Sequence, residues 1–217
     1  AHDADGDMQL PIVRCGVDPL DYQFAPGLRE RQRAELGIAD DEILVLFTGS
    51  RFAPNTEALG PLLAFAAAEE AALKRLRIRL VLVGSMCAAP LRQGQVIATG
   101  RVEEVLPYFA AADAGLNPVV TGSGSNVKLF EYMAARLPVL STRFGVRGTP
   151  LQEGEDYLLY DRKQPLAALN ALASQSRAER TAFAEAVWQR HRKEADIEEL
   201  VREAIAVLPD FHAAAAH

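Results

Sequence analysis

Cysteine, histidine and long apolar runs are scarce in this sequence of 217 residues. The two cysteines, Cys15 and Cys87, form no CxxC pair and join no metal-ligand cluster, which argues against a zinc site and fits a reducing compartment. His191 and His212 have no partners at metal spacing, so we predict surface histidines and no metal site. No apolar run reaches about 18 residues and no signal-peptide pattern opens the sequence, so we expect a cytoplasmic protein without a membrane span.

Positive charge is also in short supply. Lys and Arg number 23 against 29 Asp and Glu, the net charge is -6, and the isoelectric point is about 5.3. This balance argues against a general binder of nucleic acids or membrane surfaces. Because 49% of the residues are hydrophobic, the chain can still build a sizeable core.

Two common catalytic signatures are missing. A dinucleotide-binding dehydrogenase has GxGxxG after its first strand, whereas residues 49–54 read Gly-Ser-Arg-Phe-Ala-Pro, which disfavours hydride transfer. A nucleophile elbow needs GxSxG, and residues 121–126 lack the final glycine. Glu153 and Glu155 resemble an acid–base pair, but no burial or nucleophile is indicated, so we predict solvated turn residues.

Strands and helices alternate through most of the sequence. Short apolar runs predict strands, and amphipathic segments predict helices between them. The predicted strands cover 43–48, 78–84, 95–99, 113–118, 139–140 and 157–160, and the predicted helices cover 27–37, a long segment from residue 54, a segment through 102–109, 127–136 and 165–208. This pattern is typical of an α/β domain with a doubly wound, mostly parallel sheet and a C-terminal helical segment. We predict one such domain over 18–208, a disordered or hinge segment over 1–17, and a disordered tail over 209–217.

Five predicted strands end in a glycine-containing loop. These loops contain Gly49, Gly84, Gly100, Gly122 and Gly145. In a parallel sheet the carboxyl ends of the strands meet at one edge, where ligands of doubly wound folds bind. The sequence therefore predicts a ligand site at this edge.

The loop before the predicted helix 127–136 suggests what that ligand is. It comprises Gly122, Ser123, Gly124, Ser125 and Asn126, of which Ser125 or Asn126 can cap the helix. Unpaired amides and the helix dipole make such an N-terminus a site for an anion, and phosphate is the natural occupant. Lys128 opposes the dipole unless an anion is bound, and Glu131 lies near the same side. The alternative is a surface Lys–Glu pair worth a few tenths of a kcal/mol.

These residues resemble a known family. Lys128, Glu131, Tyr-Met-Ala at 132–134, Pro-Val-Leu-Ser-Thr at 138–142 and Gly145 are similar, in that order, to the C-terminal domain of group 1, family 4 retaining glycosyltransferases of the GT-B fold. The resemblance extends over about residues 17–207, and Gly-Val-Asp at 16–18 resembles the family's interdomain hinge. It implies a Rossmann-like half of a GT-B enzyme, a nucleotide-sugar donor without a metal or other cofactor, and an acceptor-binding N-terminal domain as partner.

The resemblance also implies roles for individual residues. Lys128 would act on the diphosphate as the main catalytic cation, with Arg51 second, and Glu131 would hold the ribose. The backbone around 100–102 would face the base, and the loop at 122–126 would face phosphate or sugar. The residues expected to bind the donor are Gly49, Ser50, Gly100, Arg101, Val102, Gly122, Ser123, Gly124, Ser125, Asn126 and Glu131.

Two positions depart from the family pattern. Ser123 stands where many members have a glutamate that contacts the donor sugar. Ser50 stands where an arginine is common, and the loop contains no lysine. A non-catalytic binding module and a nucleotide-sugar epimerase therefore remain alternatives. For the glycosyltransferase we expect an enzyme of the cytoplasm, either free or peripheral to a membrane, whose C-terminal fragment binds nucleotide weakly and transfers no sugar.

Overall fold

The computed structural model describes residues 16–123, 126–198 and 200–202. The predictions of disorder before residue 16 and after residue 208 lie outside the described residues, as do Cys15 and His212. The helices are α1 Leu28–Leu36, α2 Ala53–Ala68, α3 Glu70–Arg75, α4 Leu106–Ala111, α5 Val127–Ala134, α6 Pro165–Ala173 and α7 Arg177–Ala195, preceded by a 3-10 turn at Pro19–Tyr22. The strands are β1 Ile43–Thr48, β2 Ile78–Val83, β3 Leu91–Gln93, β4 Val96–Ala98, β5 Ala114–Asn117, β6 Val139–Ser141 and β7 Leu158–Leu159.

The seven strands form one sheet in the order β3-β4-β2-β1-β5-β6-β7. Neighbouring strands run parallel except for the antiparallel pair of β3 and β4. The strand order reverses direction between β1 and β5, so the chain winds outward to both sides from β1. The predicted doubly wound, mostly parallel α/β fold is confirmed.

Helices cover both faces of the sheet because its central strands are apolar on both sides. In β1, Leu44 and Leu46 face one core cluster, while Val45 and Phe47 face the other. The first cluster includes residues of α1, α4, α5 and α7, and the second includes residues of α2, α3 and α6. Each of these four β1 side chains is fully buried, which explains the continuous apolar run in the sequence.

Tyr132 fixes α5 against the sheet. Its ring is fully buried, and its hydroxyl accepts a hydrogen bond from the Thr48 amide (3.2 Å) and donates one to the Leu116 carbonyl (3.1 Å). A Cβ added to Gly115 would lie 2.2 Å from Cγ of Tyr132, so glycine is required beneath the ring. These contacts hold α5 against the carboxyl-terminal parts of β1 and β5.

Helix α5 differs in two respects from its prediction. It ends at Ala134, before Pro138, because Arg136 adopts a left-handed backbone with φ of 56°. Of the apolar residues whose spacing of three and four predicts this helix, Phe130, Met133 and Ala134 are buried, whereas Val127 is 37% exposed. The buried face also includes Leu129 and Tyr132, so it is broader than that spacing indicated.

Three other segments also depart from prediction. The short edge strand β3 lies between the predicted strands 78–84 and 95–99, where no strand was predicted. The helix predicted through 102–109 begins only at Leu106, so Glu103 and Glu104 precede its first turn. The helical segment predicted over 165–208 is interrupted at 174–176, where Ser176 and Glu179 form a capping box that starts α7.

Some predictions about individual side chains are confirmed and one is wrong. Trp188 is buried, and Glu153 and Glu155 are exposed turn residues as predicted. The prediction that His191 is an ordinary surface residue is wrong, because its side chain is only 12% exposed and its Nε2 lies 3.1 Å from Oδ2 of the buried Asp156. Asp156 comes from a loop that is distant from His191 in the chain, so local spacing does not reveal the contact.

Candidate functional site

The carboxyl edge of the sheet holds a cavity of about 550 Å³. It lies where the loops after β1, β2, β4 and β5 meet the start of α5. It is lined by Thr48, Gly49, Ser50, Phe52, Pro54, Asn55, Val83, Gly84, Ser85, Arg101, Val102, Glu103, Val105, Val119, Thr121, Gly122, Ser123, Asn126, Val127, Lys128, Glu131 and Arg147. The predicted convergence of loops at this edge is therefore present.

Two glycines allow the loops after β1 and β2 to pack backbone against backbone. Gly84 has φ of +115°, and a Cβ there would lie 2.3 Å from the carbonyl oxygen of Gly49. A Cβ on Gly49 would lie 2.8 Å from Sδ of Met86 and 2.9 Å from Cγ of Asn55. Because neither position tolerates a side chain, the floor of the cavity is formed by main chain.

Lys128 is the half-buried cation of the cavity. Its Nζ donates to Oδ1 of Asn55 at 2.6 Å and lies 4.6 Å from the centre of the Phe47 ring. Burial lowers the pKa of Lys128 from its usual value to about 8, although the nearby Glu131 carboxylate acts in the opposite direction. An ammonium group in this environment lacks much of its hydration and gains from a bound anion.

Asn55 is a site residue that sequence reasoning missed. It is only 7% exposed, and its Nδ2 donates to the Ser50 carbonyl at 3.1 Å while its Oδ1 accepts from Lys128. The amide therefore joins the loop after β1 to the start of α5. Its position in the first turn of α2 carried no signal of a contact 73 positions away.

Glu131 faces the cavity from the next turn of α5. Burial raises its pKa, while a hydrogen bond from the Tyr22 hydroxyl and the Lys128 charge act in the opposite direction. Burial and the Glu131 charge in turn raise the pKa of Tyr22. The Tyr22 side chain, from the segment that precedes α1, thus interacts with this carboxylate, which the sequence did not suggest.

Asn126 precedes α5 without capping it through its side chain. Its Nδ2 donates instead to the Gly145 carbonyl at 2.6 Å, and Asn117 Nδ2 approaches the same oxygen at 3.3 Å. The loop before α5 is therefore tied to the loop after β6. Arg147 strengthens this connection, since its Nη2 donates to the Gly122 carbonyl at 2.9 Å and its guanidinium lies 3.9 Å from the centre of the Phe144 ring.

Most of the predicted site residues meet in the cavity. Those that line it are Gly49, Ser50, Arg101, Val102, Gly122, Ser123, Asn126, Lys128 and Glu131. Gly100 lies just behind, where its carbonyl accepts the Gly84 amide at 3.0 Å. Arg51 does not line the cavity, because its side chain is exposed beyond the loop and its amide donates to Ser85 Oγ at 3.0 Å. Gly124 and Ser125 lie outside the described residues.

Charges of both signs surround the cavity. Lys128, Arg101 and Arg147 supply positive charge, and Glu103 and Glu131 supply negative charge. Among the described residues, no group of three or more His, Cys, Asp or Glu side chains is placed to hold a metal ion. The arrangement suits a ligand with an anionic part near Lys128 and hydroxyl or amide groups near the carboxylates.

Comparison with known proteins assigns the chain to a family. The profile described as "Glycosyl transferases group 1" matches residues 42–176, which include β1 to β7 and the cavity. The chain belongs to the group 1 glycosyltransferases. The resemblance seen in Lys128, Glu131 and residues 132–145 is thereby confirmed.

One curated member of the group is 32% identical to this chain. It is a D-inositol 3-phosphate glycosyltransferase of Geodermatophilus obscurus, and the match covers 71% of this chain and 37% of that protein. The chain thus spans little more than a third of the length of this curated relative.

Solved structures of group 1 enzymes share the fold. HepE of Anabaena, crystallised with UDP and glucose, superposes with a TM-score of 0.72 at 14% identity over 92% of this chain and 56% of HepE. The C-terminal domain of LpcC from Francisella tularensis superposes with a TM-score of 0.60 at 16% identity, over 84% of this chain and 100% of that structure. The fold is therefore that of a C-terminal GT-B domain. Across 16–123, 126–198 and 200–202, no helix is long and apolar enough to cross a membrane.

Proposed function

We propose that this chain is the donor-binding domain of a retaining glycosyltransferase, which holds a nucleoside diphosphate sugar at the carboxyl edge of the sheet. The observation that carries the proposal is the environment of Lys128. Its ammonium group lies at the start of α5 inside the cavity, bonded to a neutral amide, and burial lowers its pKa to about 8. An anion placed beside it would restore the charge interactions that burial has removed.

The diphosphate of the donor is the anion that fits this position. The N-terminus of α5 adds a partial positive charge, and the backbone near Gly122 and Ser123 lies at the same part of the cavity. When the bond between sugar and phosphate breaks, negative charge grows on the leaving diphosphate. Lys128 and the helix dipole stabilise that charge where it develops, which lowers the barrier to transfer.

Other residues that line the cavity contact the ribose, the base and the sugar of the donor. Glu131 accepts hydrogen bonds from the ribose hydroxyls, and the backbone at 100–102 faces the base. Ser123 offers a hydroxyl where a glutamate is common in the family. Arg147 lines the cavity beside Gly122 and is better placed than the exposed Arg51 to act as the second cation.

The acceptor side of the reaction belongs, in this proposal, to a second domain. The chain covers 37% of its curated relative and 56% of HepE, whereas it covers the whole of the LpcC C-terminal domain. HepE was crystallised with UDP and glucose, which supports a nucleotide sugar as the donor class. The domain alone is expected to bind donor without transferring sugar.

Ligand-observed NMR with UDP, GDP and ADP in parallel tests the proposal. We expect one nucleotide to bind selectively and to be weakened by Lys128→Ala and by Glu131→Ala. Lys74→Ala is the matched control, because Lys74 is exposed on α3, away from the cavity. If no nucleotide binds at millimolar concentration, or if Lys74→Ala weakens binding as much as Lys128→Ala, the donor-binding assignment is wrong and a non-catalytic module is favoured.

A further inference from the structure

A second, smaller cavity of about 220 Å³ lies at the opposite edge of the sheet. Asp113 and Pro138, which line it, come directly before β5 and β6, so the cavity is at the amino ends of these strands. Four arginines from three parts of the chain also line it, namely Arg29, Arg136, Arg177 and Arg180. Nothing in the donor-binding proposal uses this cluster.

Helix ends account for part of the cluster. Arg29 Nη1 donates to the carbonyls of Ala111 and Ala112 at 2.9 and 2.8 Å, at the end of α4. Arg136 Nη1 donates to the carbonyl of Ala134 at the end of α5, and Arg180 Nη1 donates to that of Gln175 at 2.6 Å after α6. Such contacts stabilise helix C-termini through their unpaired carbonyls and dipoles.

Some guanidinium N–H groups of the cluster are not used in these contacts. Among the described residues, Nη2 of Arg136 and Nη2 of Arg180 have no hydrogen-bond partner, and Arg177 comes only within 3.9 Å of an Asp40 oxygen. Arg180 is 8% exposed, so its charge is held in place with little access to water. Capping of helix ends therefore does not use up the hydrogen-bonding capacity of the cluster.

Positive charge still exceeds negative charge around the cavity, although Glu185 Oε2 accepts a hydrogen bond from Arg136 Nε at 2.9 Å. Of its described lining residues, Asp113 alone is acidic, and its oxygens already accept from Arg29 Nη2 at 2.7 Å, Arg33 Nη1 at 3.0 Å and the Leu44 amide at 2.8 Å. Burial lowers the pKa of Arg180, and the charges of Arg29 and Arg177 lower it further against the opposing effect of Asp113. A further anion would relieve this repulsion.

We propose that this cavity is a binding site for a small oxyanion, a phosphate or sulfate group, held by Arg136, Arg177 and Arg180. Guanidinium groups pair with phosphate through parallel hydrogen bonds, which suits a cluster that presents several of them to one space. The cavity has less than half the volume of the donor cavity, so it accommodates one phosphate group and not a nucleotide. The site is independent of the donor-binding proposal, since it shares no lining residue with the donor cavity.

Amide chemical-shift mapping with inorganic phosphate, at ionic strength held constant with chloride, tests this site. We expect saturable shifts at Ala135, Arg136 and Thr181, and similar shifts with sulfate. Arg177→Gln should weaken this binding roughly fivefold, because one charged donor is lost from a side chain that is 58% exposed and not needed for the core. Arg75→Gln is the control, because it removes the same charge from an exposed position of α3.

Three outcomes would overturn the proposal. These are shifts confined to the carboxyl edge around residues 122–128, equal shifts with chloride, and equal weakening by Arg177→Gln and Arg75→Gln. A titration with glucose 6-phosphate identifies the source of the ligand: binding at the same amides indicates a phosphate monoester, and binding of inorganic phosphate alone indicates the free ion. Either result supports the site, and because the two edges give separate shifts, failure of one proposal leaves the other intact.

Discussion

The affinity of the domain for nucleoside diphosphate should depend on pH through Lys128. In the free protein the pKa of Lys128 is about 8, whereas a diphosphate beside the ammonium should return the value to its usual 10.5 or above. Between these values the complex holds a proton that the free protein has lost. Binding therefore takes up a proton, and affinity is full below about pH 8 and falls as the pH rises.

The size of the effect follows from the difference between the two pKa values. From about pH 7 to about pH 9 the free protein goes from nearly full protonation of Lys128 to about a tenth, so the dissociation constant should rise roughly tenfold. Near pH 8 binding should take up about half a proton, which calorimetry in buffers of different ionisation enthalpy measures.

Titration of UDP against the protein and two variants isolates this contribution. Lys128→Met keeps an unbranched apolar stem and removes the charge. The affinity of this variant for UDP should therefore be lower and should lack the tenfold dependence on pH that Lys128 causes. Lys74→Met, on the surface of α3, should behave as the unchanged protein. Protonation of UDP itself affects all three proteins alike and cancels in their ratios. An affinity ratio of the unchanged protein to Lys128→Met that stays constant with pH would refute the reasoning.

The stability of the free domain should move in the opposite direction. A lysine whose pKa is lowered by folding binds more protons in the unfolded chain, so between about pH 8 and pH 10.5 the free energy of unfolding should increase with pH. Lys128→Met should therefore stabilise the free domain at neutral pH by roughly 1–2 kcal/mol while weakening nucleotide binding. Urea denaturation at several pH values measures both the increase of the free energy of unfolding with pH and the stabilisation by Lys128→Met.

Three further substitutions test the packing and contacts of the site. Asn55→Ala should weaken UDP binding by roughly fivefold because Lys128 loses its acceptor, while Asn170→Ala, on an exposed face of α6, should have no effect in the same titration. Gly115→Ala should lower the free energy of unfolding by about 3 kcal/mol through collision with Tyr132, whereas Gly60→Ala, with nothing within 4 Å, should raise it in the same urea experiment. Burial favours the neutral form of Asp156, but hydrogen bonds from the Gln152 amide and Arg190, together with the nearby His191, outweigh it and lower the pKa. Asp156→Asn should therefore cost about 1–3 kcal/mol at neutral pH, and this difference should vanish as the pH falls through the lowered pKa; a constant difference in denaturation curves would contradict it.

The sequence predicted the central sheet well because its strands are buried on both faces. Strand β1 is an almost wholly apolar run, β2 is interrupted only by Arg79, and a glycine follows each, which leaves little choice of structure. Strand β3 was missed for the opposite reason: all three of its residues are exposed, and its single partner is β4. Nothing in Leu-Arg-Gln distinguishes such an edge strand from a loop.

In the site, too, some features could be predicted from the sequence and others could not. The loops and the first turn of α5 could be placed, because a parallel sheet collects them at one edge whatever their side chains do. The contact of Asn55 with Lys128 and that of Tyr22 with Glu131 depend on how α2 and the turn at Pro19–Tyr22 pack on α5, which has no local signature. Arg51 shows the opposite failure, since a basic residue in the predicted loop is exposed and does not line the cavity.

Trp188 gives the domain an optical reporter of its own. It is the one tryptophan of the chain, it is buried on α7, and the Arg136 guanidinium lies 4.2 Å from the centre of its ring. Indole emission is sensitive to nearby charge, and Arg136 also lines the cavity at the amino edge. The fluorescence of the unlabelled protein therefore reports on the surroundings of Arg136, just after the C-terminal end of α5. It can show whether these surroundings change when a nucleotide binds near the N-terminal end of the same helix.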